Sequence, residues 1–202
     1  MSGSLTPSIN ATALRTQLCG SLRPEHIGQT VTLCGWIARR REHGEHLAFL
    51  DVRDYSGVVQ CVVSDVKDVR NEWVVQITGK VQARPEGTVN ANLPTGGVEL
   101  VECQLTVLNA AESPPFPIDA RADDVDEGVR LKFRYLDIRR ERMQKNLRIR
   151  AKVNSAIRGA MEAQNFVEVE TPFLMPSTPE GAREFLVPSR KEPGSFYALP
   201  QS

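Results

Sequence analysis

Long apolar runs are missing from this sequence. No stretch approaches the roughly 20 consecutive apolar residues that a membrane-spanning helix needs. A charge of one sign is missing too, since 25 Lys and Arg face 25 Asp and Glu for a formal net charge of +0. A strongly basic chain would attract nucleic acid through its overall field. Residues 12–112 hold ten Lys and Arg against twelve Asp and Glu, so any RNA binding there rests on local placement, as at Arg39-Arg40-Arg41. Cysteine is scarce and scattered. Cys19, Cys34, Cys61 and Cys103 stand singly, without zinc spacing and too sparse for a disulfide framework. They read as buried free thiols of a reducing compartment, and no metal site is expected. No internal repeat is visible.

What remains is ordinary globular composition: 202 residues, 41% hydrophobic and 25% charged, enough for one large domain or two small ones. Met1–Thr12 is rich in Ser, Thr and Asn and reads as a floppy leader. Residues 30–109 read as all-β. Gln29–Arg41 carries apolar side chains on both parities, as in a strand packed on one face and partly covered on the other. Glu42–Glu45 is a polar turn with Gly, and His46–Arg53 is a second strand. Asp54–Gly57 turns again into Val58–Val63. Ser64–Asn71 has room for a short helix. Glu72–Arg84 and Val98–Asn109 supply two more strands, separated by the Gly, Pro and Asn-rich loop Pro85–Gly97. Five short strands with a helix-sized insert between the third and fourth fit the OB-fold plan, in which closure removes open sheet edges.

The character then changes. Pro114-Pro115-Phe116-Pro117 is stiff and extended, Asp119–Glu127 is acidic, and Arg130–Arg142 is basic. A linker is expected over residues 112–128. Arg142–Gln164 reads as a helix whose apolar stripe runs through Leu147, Val153, Ile157, Ala160 and Met161, with Asn165 as its stop. Phe166–Thr171 alternates as a strand, and Pro172 ends it.

Some side chains invite a functional reading. In the second strand Leu47, Phe49, Asp51 and Arg53 share a face. An aromatic among charges suits a platform for an unpaired base; the plainer alternative is that Phe49 belongs to the core. Gln60 in the third strand can both donate to and accept from a base edge. Glu99 in the fifth accepts only. Both could equally be solvated strand residues. Nothing suggests a Ser/His/Asp nucleophile.

Leu33–Asp54 running into Gly57–Cys61, Arg134–Arg140 (RYLDIRR), Phe166–Phe173 (FVEVETPF), and Pro179–Glu184 (PEGARE) with Phe196–Ser202 (FYALPQS) stand in an order and spacing that resemble the bacterial-type aspartyl-tRNA synthetases of class II. The resemblance covers roughly residues 14–202. It implies an α+β chain: a leader at 1–13, an anticodon-binding OB-fold at 14–111, a linker at 112–128, and at 129–202 the start of an antiparallel class II catalytic domain.

The activity implied is ATP-dependent attachment of L-aspartate to tRNA(Asp) through an aspartyl-adenylate. Mg²⁺ and arginines would stabilise the phosphate charge. By the same resemblance Phe49 stacks on the anticodon, Gln60 reads its middle uracil, Glu99 reads the first base, and Arg41 and Arg84 grip the third base and nearby phosphates. Glu180 belongs to the loop that closes over aspartate, Gln201 and Ser202 stand at that pocket's wall, and Pro172 marks a homodimer interface. His43 and Gly87 resemble the relaxed subtype that charges both tRNA(Asp) and tRNA(Asn). Gly87 also admits the plain reading of a residue there for its backbone freedom, and His43 that of a turn residue. A cytoplasmic location follows, with no membrane partner.

Two departures matter. The Ser64–Asn71 insert is shorter than the family's usual helix. The family's ATP-binding motifs 2 and 3 would come after Ser202, so the 202-residue chain is expected to be a truncation, inactive alone and binding no cofactor itself. The sister asparaginyl- and lysyl-tRNA synthetases share the barrel and motif 1 but differ in the loop at Thr178–Arg183. A non-catalytic RNA-binding module is the alternative from another class, and motif 1 argues against it.

Overall fold

In a computed structural model, the residues described are 12–44, 46–64, 68–177 and 184–199. The expected leader, residues 1–13, falls outside them apart from its last two positions. Residues up to Glu141 form one compact unit, and residues from Arg142 a second.

The first unit is a closed barrel of β1 (Thr30–His43), β2 (Leu47–Asp54), β3 (Gly57–Ser64), β4 (Val74–Ala83) and β5 (Val98–Asn109), ordered β1-β2-β3-β5-β4. β1 closes it by pairing antiparallel with β4, and β3 meets β5 in parallel at Cys61 and Leu100. The alternation expected of a half-covered strand sends Leu33, Ile37, Leu50, Val52, Val59, Val75, Ile77 and Leu100 inward, each with no exposed surface. Burying each such side chain is worth about 1.5–3 kcal/mol. The β2–β3 turn is held from outside: Asp54 accepts from the Cys19 and Ser56 backbone N–H groups at 2.8 Å each. Gly20 is needed there, because a Cβ on it would lie 2.2 Å from the Ser56 carbonyl oxygen.

Three sequence expectations are corrected. No helix occupies 68–71, the described part of the Ser64–Asn71 insert. Val69, 2% exposed, joins the core there instead, and its carbonyl accepts from Arg40. Phe166–Thr171 is not a strand. A strand needs a second one whose backbone groups pair with its own, and among the described residues no strand pairs with this segment. The cysteines are all free, but only Cys19 and Cys61 are buried; Cys34 and Cys103 are half-buried. The Cys103 thiol and burial push Cys61 up, and burial chiefly does so for Cys19, so both stay protonated and inert.

The segment expected to be a linker lies within the first unit. It ends in the first residues of α1 (Glu127–Lys132), and α2 (Arg134–Asp137) follows it. Asp126 caps α1 by accepting from the Gly128 and Val129 N–H groups. Trp73 Nε1 donates to the Ala111 carbonyl at 2.9 Å. Glu72 accepts from Arg53 at 3.0 and 2.9 Å and from Arg139 at 2.9 Å, while Arg139 lies 4.5 Å over the Trp36 ring. Asp137, 1% exposed, accepts from Arg140 at 2.7 Å and Arg134 at 3.1 Å, and Arg140 also pairs with Asp123. A fragment of residues 12–141 is therefore expected to melt cooperatively, and at a higher temperature than one of residues 14–110. Equal midpoints by circular dichroism would mean that these ion pairs hold nothing.

In the second unit α3 (Glu141–Glu162) ends as its sequence predicts. Asn165 takes φ 66°, and the Phe166 N–H returns to the Met161 carbonyl at 3.1 Å, the six-to-one bond of a Schellman stop. β6 (Leu186–Pro188) and β7 (Phe196–Ala198) form a small hairpin bridged by Met175. Leu147, Val153, Ile157 and Met161 lie 40–58% exposed on α3.

Candidate nucleic-acid interface

The outer face of β1, β2, β3 and β5 gathers the residues singled out in the sequence. A bulge shifts the β1–β2 register between Ile37 and Arg39. Beyond it Arg39 pairs with Asp51, Arg40 with Leu50 and Arg41 with Phe49. Since Leu50 points into the core, Arg40 shares the inward face, where it reaches Val69, and Arg39 and Arg41 stand outward beside Asp51 and Phe49. This is the physical reason that the middle arginine of the triplet differs from its neighbours.

Phe49 is half-buried on the outer face while Ala48, Leu50 and Val52 fill the interior. Phe49 is thus no core residue. The exposed His43 ring stands against it in a T-shaped contact, 5.8 Å between centroids and with planes 69° apart. A flat apolar surface open to solvent, edged by a polar ring, can take a stacked base.

Beside it the polar groups are chained. Arg41 Nη2 donates to Asp51 Oδ1 at 2.7 Å and to Gln60 Oε1 at 2.9 Å. Gln60 Nε2 donates to Glu99 Oε2 at 2.8 Å. Gln60 is 8% exposed and Glu99 5%: both are packed within the face rather than waving from it, unlike the solvated strand residues they could have been. Burial pushes the Asp51 carboxyl up, against the pull of Arg41, Arg39 and Arg84. Arg84 holds the β4–β5 loop, donating through Nε to the Val98 carbonyl at 3.2 Å. Gly87 sits in that loop at φ 80°, where a Cβ would meet nothing within 4 Å. Its positive φ favours glycine on backbone grounds, and the space around it is open.

Sequence reasoning placed Asp51 on this face and gave it no role, although its position two residues after Phe49 was the available signal. Arg39, distinguished in the sequence only as part of the Arg39-Arg40-Arg41 run, stands on this face across from Asp51. Pro172 lies exposed in the extended segment after α3, near Phe166, Val167, Val169 and Phe173, which are 59–83% exposed. Glu180, Gln201 and Ser202 lie outside the described residues.

A five-stranded closed barrel carrying an aromatic and a hydrogen-bonded polar row on one face is a nucleic-acid-binding OB-fold, and residues 31–108 match the model of the OB-fold nucleic acid binding domain. Residues 126–202 match the model of the class II tRNA synthetases (D, K and N). The chain belongs to that synthetase family. It is 55% identical over 197 residues to the aspartate–tRNA(Asp/Asn) ligase of Heliobacterium modesticaldum, covering 93% of this chain and 32% of that protein. It is 54% identical to the ligase of the same name from Mycolicibacterium gilvum, covering 94% and 32%. The chain thus spans about a third of the length of the curated relatives it matches. Among solved structures, asparaginyl-tRNA synthetase from Pyrococcus horikoshii complexed with asparaginyl-adenylate matches with a TM-score of 0.75 at 26% identity, over 92% of this chain and 42% of that one. A putative aspartyl-tRNA synthetase from Leishmania major shares the fold, with a TM-score of 0.76 at 20% identity over 96% and 40%.

Proposed function

We propose that this chain is the anticodon-reading end of an aspartate–tRNA ligase that acts on tRNA(Asp) and tRNA(Asn). The observation that carries the reading is the outward Phe49 beside the chained Arg41, Gln60 and Glu99 on four neighbouring strands. Unpaired anticodon bases need a stacking surface and fixed donors and acceptors, and this face offers both. Phe49 stacks against the middle base, Gln60 meets its edge, Glu99 accepts from the guanine at the first position, and Arg41 with Arg84 lies towards the third base and its phosphates.

Residues 129–202 open the catalytic domain on this reading. The whole enzyme activates L-aspartate with ATP and Mg²⁺ and passes it to the tRNA terminus, with Glu180, Gln201 and Ser202 on the aspartate side. Such chemistry is electrostatic stabilisation of phosphate charge, with no protein nucleophile. The open apolar stripe of α3 and the segment around Pro172 suit a homodimer contact, because a surface of that kind is seldom left in water. Among the described residues no helix is long and apolar enough to cross a membrane, and a cytoplasmic site of action fits free thiols and an RNA substrate.

The test is binding of a hairpin RNA carrying the aspartate anticodon loop to the 202-residue chain. Phe49→Ala is expected to weaken it by about 1–3 kcal/mol, the value of one base–aromatic stack. Gln60→Ala should cost a similar amount and relax preference at the middle base. If both variants bound like the parent at matched salt, the face would not be the anticodon site.

A further inference from the structure

The three proposed base readers are not independent groups. Glu99, Gln60 and Arg41 are joined head to tail by hydrogen bonds of 2.8 and 2.9 Å, and the row ends on Asp51 at 2.7 Å from Arg41. Building on the anticodon assignment, we propose that Asp51 is a positioning residue: it anchors Arg41, and through Arg41 it fixes the orientation in which Gln60 presents its amide to the middle base.

The chemistry of the row admits one arrangement. Arg41 can only donate and an ionised Glu99 can only accept. Gln60 must therefore turn its oxygen to Arg41 and its nitrogen to Glu99, because the flipped amide would set donor against donor and acceptor against acceptor. Each end of the amide keeps some capacity, one lone pair on Oε1 and one hydrogen on Nε2. A side chain fixed in this way shows a constant acceptor–donor pair, the complement of a uracil edge with its N3–H donor beside a carbonyl acceptor. A freely rotating Gln would suit uracil and cytosine alike, since reversing the amide reverses the pattern.

Arg41 needs an anchor to do this. Its side chain is 40% exposed and its Nε is buried without a hydrogen-bond partner, so its grip on the face rests on the single nitrogen shared between Asp51 and Gln60. Asp51 is one-fifth exposed, stands across from Gln60 in the β2–β3 register and across from Arg39 in β1–β2, and so has two neighbouring strands to hold it still. Its Oδ1 is taken by Arg41 at 2.7 Å, and a carboxylate near phosphates repels them unless, as proposed for Glu99, a base donor meets it, so its presence here calls for a role other than reading.

That repulsion gives a readout separating positioning from mere structure. Asp51→Asn removes a negative charge, so affinity for any RNA hairpin holds or rises, while preference for uracil over cytosine at the middle position falls roughly tenfold, the size of one lost base-reading contact. Asp51→Glu keeps the charge and moves it by one methylene, so it should lose the same preference without the general gain. In the Arg41→Ala background Asp51→Asn should change the preference no further. The probes are hairpins with the aspartate anticodon and its middle-base cytosine variant, bound to the 202-residue chain at fixed salt, with thermal melts of each variant alongside. If both Asp51 variants kept the parent's preference, or if Asp51→Asn and Arg41→Ala acted additively, the proposal would fall. Phe49→Ala and Gln60→Ala in the same series test the underlying site: unchanged binding in both removes the anticodon reading itself, whereas weakened binding together with Asp51 variants that keep the parent's preference removes only the positioning role.

Discussion

Asp137→Ala is expected to destabilise the first compact unit by about 3–5 kcal/mol, the cost of removing one partner from a buried ion pair. Asp137 is 1% exposed and Arg140 is 2% exposed. The carboxylate accepts from Arg140 and Arg134, and Arg130 stands 4.0 Å away. Truncation leaves a buried guanidinium with Asp123 as its remaining carboxylate in this cluster and brings arginines together with less charge between them. Asp137→Asn keeps the shape and should cost less. In a domain of this size the loss would lower the melting midpoint by roughly 10 °C or more. A useful contrast lies in the second unit, where Arg158 and Glu168 pair at 2.9 Å with both side chains more than 60% exposed. Arg158→Ala should cost under about 1 kcal/mol, because water and salt screen such a pair. Thermal and urea melts of the three variants decide it. A loss below about 1 kcal/mol for Asp137→Ala would mean that the cluster is open to water.

That segment also shows where sequence reading stops. The barrel was legible because alternation of apolar residues and Gly-bearing turns are local signals, and every strand fell within two residues or so of its expected position. Parity put Phe49 on one face with Asp51 and Arg53 but left open whether that face pointed outward or into the core. The bulge after Ile37 was not legible, because a bulge is set by the pairing of two strands, and only it explains why Arg41 faces the site and Arg40 the core. Gln60 and Glu99 are 39 residues apart, and Glu72 and Arg139 are 67 apart. Contacts at that separation are products of the fold and leave no mark in a local window. The same reason undid two local readings. Phe166–Thr171 has a strand's pattern but no described strand pairs with it, and the Pro-rich and acidic stretch 112–128 reads as a linker although it lies within the first unit, followed by arginines that pair with Glu72 and Asp137.

In the whole enzyme proposed above, His43→Leu is expected to restore a preference for tRNA(Asp) over tRNA(Asn), against an expected comparable charging of the two by the parent. The two anticodons share their first two bases and differ only at the third, C against U, so on the proposed assignment Phe49, Gln60 and Glu99 would meet the same chemistry in both. Discrimination must arise beside them. His43 packs edge-on against Phe49 at 5.8 Å, on the exposed end of β1 two residues beyond Arg41, and this puts it next to the platform. An imidazole donates or accepts according to its tautomer and can satisfy either pyrimidine. Leucine can do neither, and a site that leaves one base's polar group unpaired rejects that base. Gly87 contributes no side chain to the space at the other loop, so nothing there opposes uracil. The measurement is aminoacylation of both purified tRNAs. A parent that already favours tRNA(Asp) by more than about a hundredfold, or about 2.7 kcal/mol, would refute relaxed recognition. A His43→Leu enzyme that still charged both equally would place the discriminating contact elsewhere, with Arg84 and its loop the next residues to change.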